Sequence, residues 1–206
     1  MKVSADTSLT RERPWPGLDS YSEDATGYFF GRGKETAELL ARVKREIITL
    51  LFGKPGLGKS SLLKAGLFPL LRSEGYFPVY IRVDYASGAL KVLDQIQAAM
   101  SQTAERHDCS IALPNSAVTA WEIFHSRHFR IQSLGGKLLS PVVVFDQFEE
   151  LFTLGKDTRQ ALAEELVDTI ESLAENRLPL LLEEKMRDDP GLADCFDFDV
   201  PGCKSC

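Results

Sequence analysis

The stretch LLFGKPGLGKSSLL, residues 50–63, restricts the possible folds of this chain more than any other. Within it Gly53, Lys54, Pro55, Gly56, Leu57, Gly58, Lys59 and Ser60 fit G-x-x-x-x-G-K-[ST], the phosphate-binding P-loop pattern. Glycines allow left-handed turns that aim successive N–H groups at one anion, and a following helix adds its own unpaired N–H groups, Ser61 among them. Lys59 is placed to reach the β- and γ-phosphates, and the Ser60 hydroxyl to ligate a bridging Mg²⁺. The plainer alternative is a glycine-rich turn with a chance lysine. Against it stand the flanks: IITLLF (47–52) reads as a buried strand, and KSSLLKAGLFPLL as a helix that Pro69 kinks or ends.

A length of 206 residues suits one α/β domain, and 44% hydrophobic with 26% charged residues is an ordinary globular composition. The net charge of −6 gives no footprint for a phosphate backbone, so direct nucleic-acid binding is not expected and the bound anion should be small. No run is long and apolar enough for a signal core or a membrane span, which predicts a cytoplasmic protein without a membrane segment. Cys109, Cys195, Cys203 and Cys206 suggest no disulfide framework, and the terminal C-x-x-C lacks further zinc ligands or a following helix. His125 and His128, beside Trp121 and Phe124, are read as stacked or surface residues and not as metal ligands.

Residues 1–27 form a polar lead-in that Trp15, Leu18 and Tyr21 are expected to pin down. Gly31 and Gly33 then precede a helix with Leu39, Leu40 and Val43 on one face. FPVYIRVDY alternates Val79, Ile81 and Val83 and reads as a strand. Leu90, Leu93, Ile96 and Met100 mark a helical stripe, 101–115 is looser and polar, and SAVTAWEIFHSRHFRIQ is read as a helix. Beyond LFTLG, Asp157 caps a helix with a Leu162, Leu166, Ile170 and Leu173 stripe, and no strand of normal length follows.

The second informative stretch is PVVVFDQFEEL. Val142 to Phe145 form the continuous apolar run of a parallel strand buried on both faces, and the run ends at Asp146. Open α/β sheets bind ligands at the carboxyl ends of their strands, so Asp146 is suited to hold Mg²⁺ directly or through water. Glu149 or Glu150 is the candidate general base for an attacking water. A buried strand leading into an acidic turn is the alternative.

Together, FFGRGKE with the preceding PWPGLDSYSEDATGY, the P-loop stretch and PVVVFDQFEELFTLG resemble the novel STAND NTPase family, relatives of NACHT and AAA+ ATPases, over residues 14–199. The resemblance implies an ATP-driven switch with Mg²⁺, common in bacterial signalling and defence proteins that also carry effector and repeat domains. It implies that Gly31 and Arg32 line the base and sugar side of the nucleotide, with Glu35 supporting the loop. It also implies sheet order 5-1-4-3-2, and FDFD here is followed only by VPGCKSC. A truncated sheet is then expected, with the P-loop strand and the Asp146 strand each short of a partner, at about 1–3 kcal/mol per unpaired buried group. Such a loss puts turnover by this chain in doubt.

The resulting expectation is an α/β P-loop NTPase three-layer sandwich with a mainly parallel sheet, incomplete at its C-terminal end. Its organisation is a lead-in (1–27), a partial NTPase domain (28–199) and a tail (200–206). Its function is Mg-ATP binding, with slow hydrolysis in intact relatives. The alternatives are an interaction fragment that pairs with an intact partner or with itself, and a small-molecule kinase. The kinase would need an arginine-rich lid, which is not evident after the second acidic motif.

Overall fold

The structure, a computed structural model, describes residues 9, 12, 14–17, 19–86, 88–114, 117, 119–153, 164, 166, 167, 169, 170, 178–198, 204 and 205. The described fold mixes helices with a small parallel sheet. A 3₁₀ turn, Glu23–Tyr28, leads into α1, Gly33–Arg45, which buries Leu39 and Val43. The helix after the P-loop, α2, is continuous through three geometries: an α-turn Lys59–Ser61, a π stretch Leu62–Leu67 and an α segment Phe68–Ser73. Pro69 therefore does not end it. The wider π register precedes the proline, and loosened hydrogen bonding of this kind lets a helix pass a residue that has no N–H to give.

Strand β1, Tyr76–Ile81, pairs in parallel with the later strand Ser140–Phe145. Between them come α3, Val92–Arg106; β2, Ser110–Ala112; α4, Ala120–His125; and β3, Arg130–Gln132, antiparallel to β2. Ser140–Phe145 is β4, with α5, Leu180–Asp188, after it. A short strand β5, Lys204–Ser205, completes the sheet order β1-β4-β5 by pairing with Val142 and Val143. At Val142 and Val143 the strand ending at Asp146 thus has a neighbour on each side, which corrects at those two residues the expectation that it would lack one.

Alternation of side chains sorts the sheet into two apolar clusters. Phe77, Val79, Ile81 and Val143 face α3 and α4, packing on Ile96, Met100 and Ile123. Val142 and Val144, with Tyr76 and Tyr80, face α1 and α2, packing on Val43, Leu63, Leu67 and Leu71. At roughly 1.5–3 kcal/mol for each large apolar side chain removed from water, these clusters hold the helices against the two faces of the sheet.

Several expectations are corrected. Residues 47–52 form no regular strand: Ile48 makes a single bridge, Thr49 is buried, and Leu50 and Phe52 are 80% and 84% exposed. A strand exists through its ladder, and this run has none among the described residues, although Leu51 packs against the cluster of α1 and α2. The α3 stripe is Val92, Ile96, Met100 and Ala104, so Leu90 lies outside it and the helix continues into the supposed polar region. The helix expected over 116–132 spans only Ala120–His125, begun by a Thr119–Glu122 capping box. It stops because Ser126 bridges Phe196 and Arg130–Gln132 is drawn into pairing with β2. Trp15 is exposed and pins nothing, whereas Tyr21 stacks obliquely on Phe29. His125 stacks on Trp121 at 4.2 Å, as a core residue would. Leu18, Asp157, Leu162, Leu173, Cys203 and Cys206 lie outside the described residues; Leu166 is buried.

Candidate functional site

The loop 53–58 crosses from the exposed apolar run into α2. Gly56 and Gly58 hold φ of 81° and 74°, the left-handed region that side chains resist, and Gly58 is the residue from which α2 starts. The first N–H groups of a helix have no partner within it, so the opening turn Lys59–Ser61 presents donors toward the loop. Lys54, Pro55 and Leu57 form the exposed rim. Lys59 folds over this loop, its ammonium donating to the Gly53 carbonyl at 2.9 Å.

Beneath the helix start, two distant residues meet. Ser60 Oγ donates to Asp146 Oδ2 at 2.5 Å. Asp146 is buried directly after β4, and its N–H donates to the Ile81 carbonyl at 2.9 Å, so the sheet itself fixes its backbone. Its other oxygen, Oδ1, accepts the Gln147 N–H at 2.9 Å, and Gln147 itself is left-handed (φ 58°). Tyr80 O–H also donates to Asp146 Oδ2, at 2.7 Å. Burial first, and then the bond to Asp146, push the Tyr80 phenol well above the ordinary tyrosine range. The Lys64 ammonium sits 4.0 Å over the Tyr80 ring; burial lowers its pKa, and the Asp146 charge opposes that shift.

The two candidate bases separate. Glu150 Oε1 accepts from Arg82 at 2.5 Å. Glu149 stands 4.0 Å from the Lys59 ammonium with its side chain 62% exposed, on the loop side of the site. Arg32 reaches the loop as well: its guanidinium donates to the Leu57 carbonyl at 2.6 Å and to Glu35 at 3.3 Å. Ser61 turns away from the loop, its hydroxyl accepting the Tyr21 N–H at 3.1 Å. The structure therefore brings Gly53, Gly58, Lys59, Ser60, Asp146 and Glu149 together, with Arg32 at the rim. Glu150 and Ser61 are held by other partners.

Sequence reading missed Tyr80, whose role depends on strand register, and Lys64, whose i to i+4 spacing from Ser60 was the only available signal. It also missed the lead-in's ionic contacts. Glu23 pairs with Arg72 at 2.5 Å and lies 3.6 Å from His107, and Asp24 pairs with Arg106 at 2.6 Å.

The donor set suits a hard, oxygen-seeking cation: one hydroxyl and one carboxylate, with phosphate oxygens and water left to supply the remainder. Among the described residues no cluster of three His, Cys, Asp or Glu forms an all-protein metal cage. No helix among them is long and apolar enough to cross a membrane.

A small parallel sheet, a left-handed glycine loop opening a helix, and a strand-end carboxylate beneath it define a nucleotide-handling class of α/β protein. Residues 14–196 match the Novel STAND NTPase 1 family, and the chain belongs to that family. No curated protein and no solved structure matches it.

Proposed function

We propose that this chain is the Mg-ATP-binding module of a STAND-type signalling or defence NTPase, built as the P-loop NTPase sandwich. The observation that carries the reading is the Ser60–Asp146 hydrogen bond beneath the glycine loop, which joins the two motifs across 86 positions.

In this reading the N–H groups of the loop and of the α2 start cradle the β- and γ-phosphates, and Lys59 leaves the Gly53 carbonyl to reach them. Ser60 and Asp146 hold Mg²⁺, which would neutralise phosphate charge. Because Ser60 gives its proton to Asp146, its lone pairs would remain available to a cation. Arg32 fastens the loop through the Leu57 carbonyl on the base and sugar side. Glu149 is the exposed carboxylate on the loop side, 4.0 Å from the Lys59 ammonium, and accepts the proton of an attacking water, whereas Glu150 is neutralised by Arg82. ATP in preference to GTP rests on the family.

A second reading is supported by the exposed Leu50 and Phe52: the 47–52 segment pairs with a strand of a second copy. Light scattering after size exclusion separates the two, since a monomer at high concentration removes that support.

The test of the main reading is a thermal melt with and without Mg-ATP, run beside Lys59→Ala. Ligand at about a hundred times its dissociation constant adds about 2.7 kcal/mol, a rise of about 5–10 °C for a chain of this size. The parent should shift and Lys59→Ala should not; no shift in the parent rejects ATP binding.

A further inference from the structure

We propose that Tyr80 is a positioning residue for the metal site, locking the Asp146 carboxylate so that Ser60 keeps its lone pairs turned toward a divalent cation. The inference rests on the Mg-nucleotide reading above and extends it to a residue outside both motifs.

The argument begins with register. Tyr80 lies opposite Val144 in the β1–β4 ladder, so Tyr80 and Asp146, two residues beyond Val144, emerge on the same face of adjacent strands. From there the phenol reaches Asp146 Oδ2 at 2.7 Å, the same oxygen that Ser60 approaches at 2.5 Å. A carboxylate oxygen has two lone pairs, and these two hydroxyls fill both. Oδ2 is thereby saturated and closed to direct metal ligation. Oδ1, which accepts one N–H from Gln147, keeps a lone pair for a metal-bound water.

Rotation of the carboxylate would break three hydrogen bonds together. The Ser60 proton consequently has a fixed acceptor, and the Ser60 oxygen a fixed orientation. Two further contacts hold the Tyr80 ring. Phe68 meets it edge-on at 6.5 Å, and the Lys64 ammonium lies 4.0 Å from its centre while donating to Ser20 at 3.4 Å. Phenylalanine keeps both ring contacts and loses only the hydroxyl, so Tyr80→Phe isolates the proposed role.

The experiment measures ATP affinity by calorimetry in EDTA and in excess Mg²⁺ for the parent, Tyr80→Phe, Asp146→Asn and the double variant, with Lys59→Ala as the nucleotide control. Loss of an outer partner of a metal ligand weakens metal-dependent binding about tenfold or more. Tyr80→Phe should therefore lose about tenfold of the Mg²⁺-dependent gain and keep its affinity in EDTA. In the Asp146→Asn background the same change should cost nothing further, because Tyr80 acts through Asp146.

An unchanged Mg²⁺ gain in Tyr80→Phe overturns the proposal. Equal losses with and without Mg²⁺, or additive losses in the double variant, also overturn it, because a merely structural tyrosine would behave so. A parent that gains nothing from Mg-ATP and matches Lys59→Ala rejects the nucleotide reading, and the Tyr80 proposal with it. That result is distinct from one in which the parent gains and Tyr80→Phe gains equally.

Discussion

Ser60 Oγ donates to Asp146 Oδ2 at 2.5 Å, so the first turn of α2 and the end of β4 share one hydrogen bond. A hydrogen bond to a charged group is worth about 1.5–3 kcal/mol, and a hydroxyl so oriented is prepared to meet a cation. Ser60→Ala is expected to reduce ATP affinity about tenfold or more in Mg²⁺ while leaving affinity in EDTA near that of the parent. Calorimetry under the two conditions checks this, and an equal loss in both would mean that the hydroxyl serves the loop and not a metal.

The two adjacent glutamates should behave differently. Arg82 holds Glu150, whereas Glu149 keeps an exposed carboxylate 4.0 Å from the Lys59 ammonium. Removing a general base costs about 10²–10⁴-fold in rate. Glu149→Gln is expected to lower single-turnover ATP hydrolysis by about that factor without weakening ATP binding, and Glu150→Gln to lower it far less. The reverse order would assign the base to Glu150 and make its Arg82 contact a resting arrangement.

Arg32 crosses from the start of α1 to the loop, donating to the Leu57 carbonyl at 2.6 Å beside the left-handed Gly58. A net hydrogen bond of about 1 kcal/mol corresponds to about fivefold in affinity. Arg32→Ala should weaken ATP binding by about that factor. Arg32→Lys should not restore it, since a lysine cannot bridge Leu57 and Glu35 with one planar fork. Measured affinities for both variants decide the point, and recovery with lysine would reduce Arg32 to a simple positive charge.

What was legible in the sequence was local. Glycine spacing around Lys59 announces a loop opening a helix, and the unbroken Val142–Phe145 run announces a strand buried on both faces with Asp146 at its exit. The rest depends on partners distant in the chain. Tyr80 reads as one more β-former until its register opposite Val144 is known. The 47–52 run has strand chemistry without a ladder, and α4 ends at His125 because Phe196 and β2 claim the residues after it. Pro69 signals a helix break, yet the π stretch before it carries the helix through. Propensity could not anticipate these outcomes because each is decided by a neighbour it does not count.

His107 should make stability depend on pH. Burial lowers its pKa, Arg72 lowers it further and Glu23 partly opposes them, with Arg106 lowering and Asp24 raising it more weakly. A histidine with a folded pKa below its unfolded value binds fewer protons when folded, so stability rises with pH through that interval and is lost as pH falls below the ordinary histidine range. His107→Gln removes this contribution while keeping a polar side chain near Glu23. Between pH 7.5 and pH 5.5 the parent should therefore lose more melting temperature than the variant, and parallel losses would place the acid sensitivity in other groups.

Gly66 lies where α2 packs against the start of α1, and its missing side chain leaves room for Thr36 and Phe29. A Cβ there would lie 2.8 Å from Thr36 Oγ1 and 3.1 Å from the Phe29 ring. Thr36 cannot easily give way: it is buried, β-branched, and its hydroxyl donates to the Arg32 carbonyl at 2.8 Å. Two effects compete in Gly66→Ala. Helix propensity favours alanine by about 1 kcal/mol, and overpacking costs about 1–3 kcal/mol. The stiffness of Thr36 places the clash at the upper end, so a net loss of about 1–2 kcal/mol is expected, or about 2–8 °C in the melting midpoint. The displaced Thr36 would also move Arg32, and through it the Leu57 carbonyl of the loop, so ATP affinity should fall with stability. Adding Thr36→Ala separates the clash from any intrinsic fault of alanine in the π stretch. If packing is the cause, the second substitution costs much less in the Gly66→Ala background than it does alone. A Gly66→Ala protein that melts at or above the parent would instead mean that α1 and α2 lie farther apart than this geometry places them.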